Sequence, residues 1–367
     1  MKILITNAHL ENPAGTEVVV RDLAGEFLRR GHTPLVYSPK LGAVAEEIRN
    51  RGIEITDRLE SLSAVPDVIH GHHHPQVVEA LLHFPATPAL FVCHGSLAAV
   101  EEPFAFPRIL RYVAVDERCR ARSARALGVP EERILMIGNA VDLARFPARG
   151  PLPPRPQRAL VFGSQASPPI HLAAVRRACR HFGLRPDLLG YVYHARPDPE
   201  SVLPAYDLVF AKGRCALEAM AVGAAVVLCD FAGAGPMVTS SNFDRLRAVN
   251  FGEAALTNPL RARALRPELA RYDPADAAAV SRRVRHEASL QAAGETWLAL
   301  YAQIIEESSR RQPDPQAELR ALAAYLQQWS YGKRVEWERQ QLQRLGLAGR
   351  GLARLLRRFA HQWSGGY

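Results

Sequence analysis

Short apolar runs alternate with longer stretches of helical period through roughly the first 250 residues of the chain. The runs KILIT, TPLVYS, IEIT, DVIHGH, ALFVCHG, YVAVD and RILMIGN are rich in Val, Ile and Leu and do not alternate with polar residues. Strands of that kind have both faces covered, as in a parallel sheet flanked by helices. Between the first two runs, TEVVVRDLAGEFLRRG predicts a helix with Val18, Leu23, Phe27 and Leu28 on its apolar face and Gly31 at its C-cap position. Repeated βα units predict a doubly wound parallel sheet.

A break follows at RGPLPPRPQ, Arg149 to Gln157, where four prolines in nine residues favour a stiff, extended spacer over a helix or central strand. The pattern then restarts with RALVFGS, the helix HLAAVRRACRHFG, PDLLGY, YDLVFA, the helix ALEAMAVG and AAVVLCD. The long helical region DAAAVSRRVRHEASLQAAGETWLALYAQIIEESSRR closes this second α/β domain. Past QPDP, Leu319, Leu322, Leu326 and Trp329 fall on one helical face. A further segment groups Leu352, Leu355, Leu356 and Phe359 among Arg350, Arg354, Arg357 and Arg358, with the helix-breaking LGLAGRG between the two. The expected organisation is an α/β domain over residues 1–150, a second over 158–310 with its closing helices, and a basic helical tail over 311–367.

Charge sharpens the picture of the tail. The formal net charge is +9, and eleven basic against four acidic residues lie between Arg310 and Tyr367. The body is therefore close to neutral, which excludes a uniformly basic nucleic-acid binder. A basic tail suits an anionic membrane surface, an acidic partner or a second subunit. The five cysteines are scattered without a C-x-x-C pair, which argues against a disulfide framework and for a reducing compartment. The opening MKILITN reads as a strand and not a leader, and no run of about 18 or more apolar residues is present. These features predict a cytoplasmic protein with no spanning helix, able to lie at the inner face of a membrane.

In two-domain α/β chains ligands bind beyond the carboxyl ends of the strands, so the residues there carry the candidate chemistry. After the first strand comes NAHLENPAGTE, where Gly15 lets the backbone approach a ligand at the positive end of the next helix. The same glycine also reads as an ordinary turn. DVIHGHHHPQ would put His70, His72 and His74 on one face of a strand, but no Cys or acid cluster joins them, so no metal site is expected. These imidazoles instead read as hydrogen-bonding groups at a cleft rim. His94 in FVCHGS follows an apolar strand, and Gly163, Ser164 and Gln165 in FGSQASPP offer polar groups after the first strand of the second domain. In YDLVFAKGRCALEAMAVG, Lys212 and Arg214 flank Gly213 at a helix start, an arrangement suited to a diphosphate. Glu218, in the same apolar helix, calls for a specific partner, and a ribose diol is one. VVLCDFAGAGPMV, with Gly233 and Gly235, is a weak match to a dinucleotide loop because Pro236 intrudes and the third glycine is missing.

Taken together, the Gly15 loop, RRGH, DVIHGHH, CHG, VAVDERCRARSARALGVPEERILMIGNAVDLARF and ALEAMAVGAAVVLCD resemble the GT-B glycosyltransferases, in particular the retaining family 4 enzymes. The likeness spans roughly Met1 to Glu307, with Ala140 where the family's pNGVD signature has glycine. It implies two Rossmann-like doubly wound domains facing a cleft, plus a helical C-terminal extension. It also implies a nucleotide-sugar donor held mainly by the second domain, a glycan or lipid-linked acceptor held mainly by the first, and no cofactor or required metal. On this resemblance Gly15, Ser164, Gln165, Lys212, Gly213, Arg214, Cys215, Ala216 and Glu218 belong to the donor site. Asn12, His72 and His73 face the acceptor, and His94 is the catalytic contact to the donor sugar or leaving group. The family's first glutamate would fall at Phe210, and the loop after the first strand of the second domain lacks the family's Arg and Lys, for which Lys212 and Arg214 stand as substitutes. Two other functions remain open: a GT-B-like sugar-nucleotide epimerase, and a non-catalytic nucleotide-sugar or glycan binder.

Overall fold

The structure is a computed structural model that describes residues 1–95, 98–163, 172–190 and 198–329. Its first sheet has strands β1 (Lys2–Thr6), β2 (Thr33–Tyr37), β3 (Glu54–Thr56), β4 (Val68–Gly71), β5 (Ala89–Cys93), β6 (Ile109–Ala114) and β7 (Ile134–Met136). All pair in parallel in the order β3-β2-β1-β4-β5-β6-β7. Helices α1 (Gly15–Arg29), α2 (Ala43–Arg49), α3 (His74–His83) and α4 (Glu117–Leu127) make the crossovers. The second sheet contains β8 (Ala159–Phe162), β9 (Pro186–Leu189), β10 (Leu208–Ala211), β11 (Ala225–Asp230) and β12 (Gly233–Met237), in the order β12-β11-β10-β8-β9. Its helices are α5 (Ala173–Cys179), α6 (Pro199–Val202), α7 (Gly213–Val222), α8 (Phe243–Ala248), α9 (Ala262–Leu269) and α10 (Pro274–Glu287).

The continuous apolar runs are explained by two-sided burial. On β10, Val209 and Ala211 join the core beneath α7 and α10, while Leu208 and Phe210 join a separate core beneath α5 and α9. Each sheet reverses its strand order once, between β1 and β4 in the first and between β8 and β10 in the second. The loops after those strands diverge there and leave a crevice. The stretch 149–157 connects the two sheets and is tied down where Arg149 pairs with Asp207 at 2.9 Å.

Several expectations are corrected. β12 runs antiparallel to β11, so Gly233 and Gly235 sit in a hairpin and not before a helix. A Cβ at either would meet a backbone carbonyl at 2.6 Å, so these glycines serve close packing against the 255–258 segment. In α1 the buried apolar face is Val20, Leu23, Ala24 and Phe27; Val18 is only partly buried and Leu28 points outward. The long closing helix is two helices, because Ser289 caps a new one, α11 (Leu290–Ser309), through the Ala292 N–H at 3.1 Å. α11 does not close the second domain. It crosses back and buries Leu290, Trp297, Leu300, Tyr301 and Ile304 in the core of the first. α12 (Pro315–Gln328) follows it there, packing Ala321, Leu322 and Tyr325 inward and leaving Leu319 and Leu326 exposed. The second tail segment, from Leu352 to Phe359, lies outside the described residues.

Candidate active site

A cleft of about 450 Å³ opens between the carboxyl ends of the two sheets. Pro13 through Val19, His94 and Glu101 form its first-domain wall; Val161 to Gly163, Phe210, Lys212, Arg214, Cys215, Glu218 and Asp230 contribute to the other. Seven of the candidates singled out from the sequence therefore meet here: Gly15, His94, Gly163, Lys212, Arg214, Cys215 and Glu218. Ser164 and Gln165 lie outside the described residues. Asn12, His72, His73, Gly213 and Ala216 are not part of the wall.

The second-domain side is set by the turn from β10 into α7. Gly213 opens the helix with φ of 56°, a backbone state that favours glycine. Its N–H donates to the Phe251 carbonyl at 2.7 Å, so it is not available to a ligand, contrary to the expectation of a free amide there. Arg214 and Cys215 continue that first turn on the cleft side. Arg214 donates from Nε to Glu218 Oε1 at 3.0 Å and from Nη2 to Asp22 on α1, so one guanidinium bridges the two domains. Glu218 is buried, and burial pushes its carboxyl up to about 7 despite the opposing pull of Arg214. Lys212 pairs with Asp230 at the end of β11. Among the described residues, each cation that lines the cleft, Arg21, Arg145, Lys212 and Arg214, has a carboxylate partner. An anion that uses one of these cations exchanges with its carboxylate, and the positive end of a helix is a further source of charge.

The histidines divide. His74 begins α3 and bonds Tyr325 at 2.8 Å, on the side of α12, so His70, His72 and His74 do not share a face. Strand β4 ends at Gly71, which is why the alternation fails. His70 bonds the Tyr301 hydroxyl, its ring lies 4.7 Å from that of His72, and the His72 ring stacks at 4.6 Å on His94. Burial holds His94 down to about 4 and His72 well below the usual histidine value. His70, His72 and His94 are therefore neutral imidazoles near pH 7. His72 and His73 thus stand behind the cleft wall rather than at its rim. Among the described residues no three His, Cys, Asp or Glu side chains gather to hold a metal ion.

Sequence reasoning missed Glu17, Glu101 and Asp230. Asp230 ends a strand and could have been found by the strand-end rule. Glu101 sits in the short turn Ala99–Glu101, away from any strand end, and nothing in its local sequence marks it.

Two doubly wound sheets facing a cleft make the GT-B fold, the architecture that the sequence resemblance implies. Residues 13–145 match the family model described as Glycosyltransferase Family 4, which covers most of the first domain. A glycosyltransferase from Rickettsia africae ESF-5 superposes with a TM-score of 0.60 at 15% identity, over 83% of this chain and 98% of that one. Anabaena HepE, solved in complex with UDP and glucose, gives a TM-score of 0.60 at 17% identity over 83% of this chain and all of the other. No curated protein matches the chain at a significant level. The chain thus carries a segment similar to a glycosyltransferase family over residues 13–145 and shares the fold of solved glycosyltransferases.

Proposed function

We propose that the protein moves a sugar from a nucleoside-diphosphate sugar to a glycan or lipid-linked acceptor, with retention at the anomeric carbon and no covalent glycosyl-enzyme. One observation carries this reading: a buried carboxylate, Glu218, lies in the interdomain cleft in the helix that Lys212 and Arg214 introduce. Glu218 accepts hydrogen bonds from the ribose hydroxyls, and the diphosphate sits at the start of α7 beside Lys212 and Arg214. Displacing Asp230 from Lys212, or sharing Arg214 with Asp22, supplies the neutralising charge without a metal. The solved relative that carries UDP and glucose supports a nucleotide and a sugar as ligands of this fold.

In the transfer, the bond from the anomeric carbon to the diphosphate oxygen breaks as the acceptor oxygen bonds to the same face. The departing phosphate oxygen takes the acceptor proton. The protein holds the two substrates in register and stabilises the charge growing on the diphosphate. His94, being neutral, contributes a hydrogen bond to the sugar or leaving group and no positive charge. The basic tail supports an acceptor anchored at an anionic membrane.

Lys212→Ala is expected to weaken sugar-nucleotide binding about tenfold or more, the worth of a charge-assisted contact. Unchanged affinity by calorimetry in both Lys212→Ala and Arg214→Ala would remove these residues from the diphosphate site. Glu17 and Glu101 beside His94 favour a second reading, epimerisation of the sugar nucleotide, because they provide acid and base groups around the place a sugar would occupy.

A further inference from the structure

Glu101 has no task in the transfer step itself, yet its neighbours fix its position. One oxygen, Oε1, stands 3.8 Å from His73 Nε2, and the other, Oε2, is buried without a hydrogen-bond partner among the described residues. Buried carboxylate oxygens are normally satisfied, so Oε2 awaits a donor. His73 Nδ1 accepts the Ala8 N–H at 3.0 Å, which puts the ring proton on Nε2, the nitrogen facing Glu101. To present its ring this way His73 adopts φ of 58°, a state that non-glycine residues seldom occupy outside functional sites. Gly95 completes the setting, because a Cβ there would stand 2.3 Å from Glu101 Oε2. Burial alone would raise the Glu101 carboxyl, but His73, with His94 and Arg122 nearby, outweighs it and holds the group below its usual range. It is therefore ionised at neutral pH.

Across the cleft, the second domain presents Val161, Phe162, Leu189 and Phe210, which offer a polyol no side-chain partner. Phe210 is wholly buried within β10, so that wall has no carboxylate at the position. We propose that Glu101, positioned by His73, binds the hydroxyls of the donor's sugar, so that the first domain contributes to sugar recognition. The inference rests on the cleft being a nucleotide-sugar site.

Calorimetry separates the two claims. UDP, GDP and ADP are titrated into the full chain, each beside its glucose or mannose conjugate, and the ratio of the two affinities measures what the sugar adds. Glu101→Gln should bind the bare nucleotide as the wild type does and lose about tenfold of the gain conferred by the sugar. Gly95→Ala, whose methyl group displaces Oε2 while keeping the charge, should move the same ratio, as should His73→Ala. A ratio unchanged in Glu101→Gln, or a parallel fall for nucleotide and conjugate alike, overturns the assignment while leaving the nucleotide site intact. A wild-type chain that binds none of these compounds overturns the reading of the cleft and this inference with it.

Discussion

Glu218 and His94 face one cleft, and burial drives them in opposite directions: the acid up to about 7, the base down to about 4. Both are pushed toward their neutral forms, as low-polarity surroundings require. The pH dependence follows. If ribose hydroxyls donate to Glu218, as proposed, they do so best when it is ionised, so sugar-nucleotide affinity should rise as pH increases through about 7 and then level off. Glu218→Gln should abolish that limb, and His94 should add no step near neutrality. A limb that persists in Glu218→Gln would assign it to another group. Glu218 was legible from sequence because a carboxylate in so apolar a helix stands out. The link from Arg214 to Asp22 was not, since that contact joins residues 192 positions apart.

At the scale of elements, the strands were the most legible part, because their apolar runs reflect burial on both faces. Helix faces were less so. α1 packs on its sheet and also on α11, and it buries Arg21, Asp22 and Glu26 along with its apolar residues. Those polar side chains are matched from afar: Arg30, bonded to Glu26 at 2.6 Å, also donates to the Gln291 carbonyl at 2.8 Å. A moment built on apolar residues alone therefore points slightly wrong. The same contact explains why α11 was assigned to the wrong domain, since sequence proximity favours α10 while its Trp297 and Tyr301 fit the first core. Tyr301→Ala should cost roughly 3–5 kcal/mol in urea unfolding by opening that core. Tyr301→Phe, which loses only the His70 bond, should cost about 1 kcal/mol. Near-equal losses would mean that the hydroxyl, and not the packing, anchors α11.

On the scale of the whole molecule, the chain crosses between domains twice, once between β7 and Val141, which with Phe146 already packs in the second core, and again after α10, where Val141 pairs with Ser289 before α11. Arg214 joins the domains a third time, inside the cleft. Two domains and their cleft were readable because the proline-rich spacer separates two runs of βα units. The return of α11 and α12 to the first domain was not, because nothing local distinguishes a helix that closes its own domain from one that closes its neighbour's. In the proposed complex a donor held by the second domain meets Glu101 and His94 of the first, so a productive complex needs both walls. The most direct test is nucleotide release from a panel of nucleoside-diphosphate sugars, with and without glycan and lipid-linked acceptors. Glycosyl transfer predicts rapid release of the nucleoside diphosphate only when an acceptor is present. Conversion of the sugar nucleotide without any acceptor, or tight binding with no turnover under either condition, would contradict it.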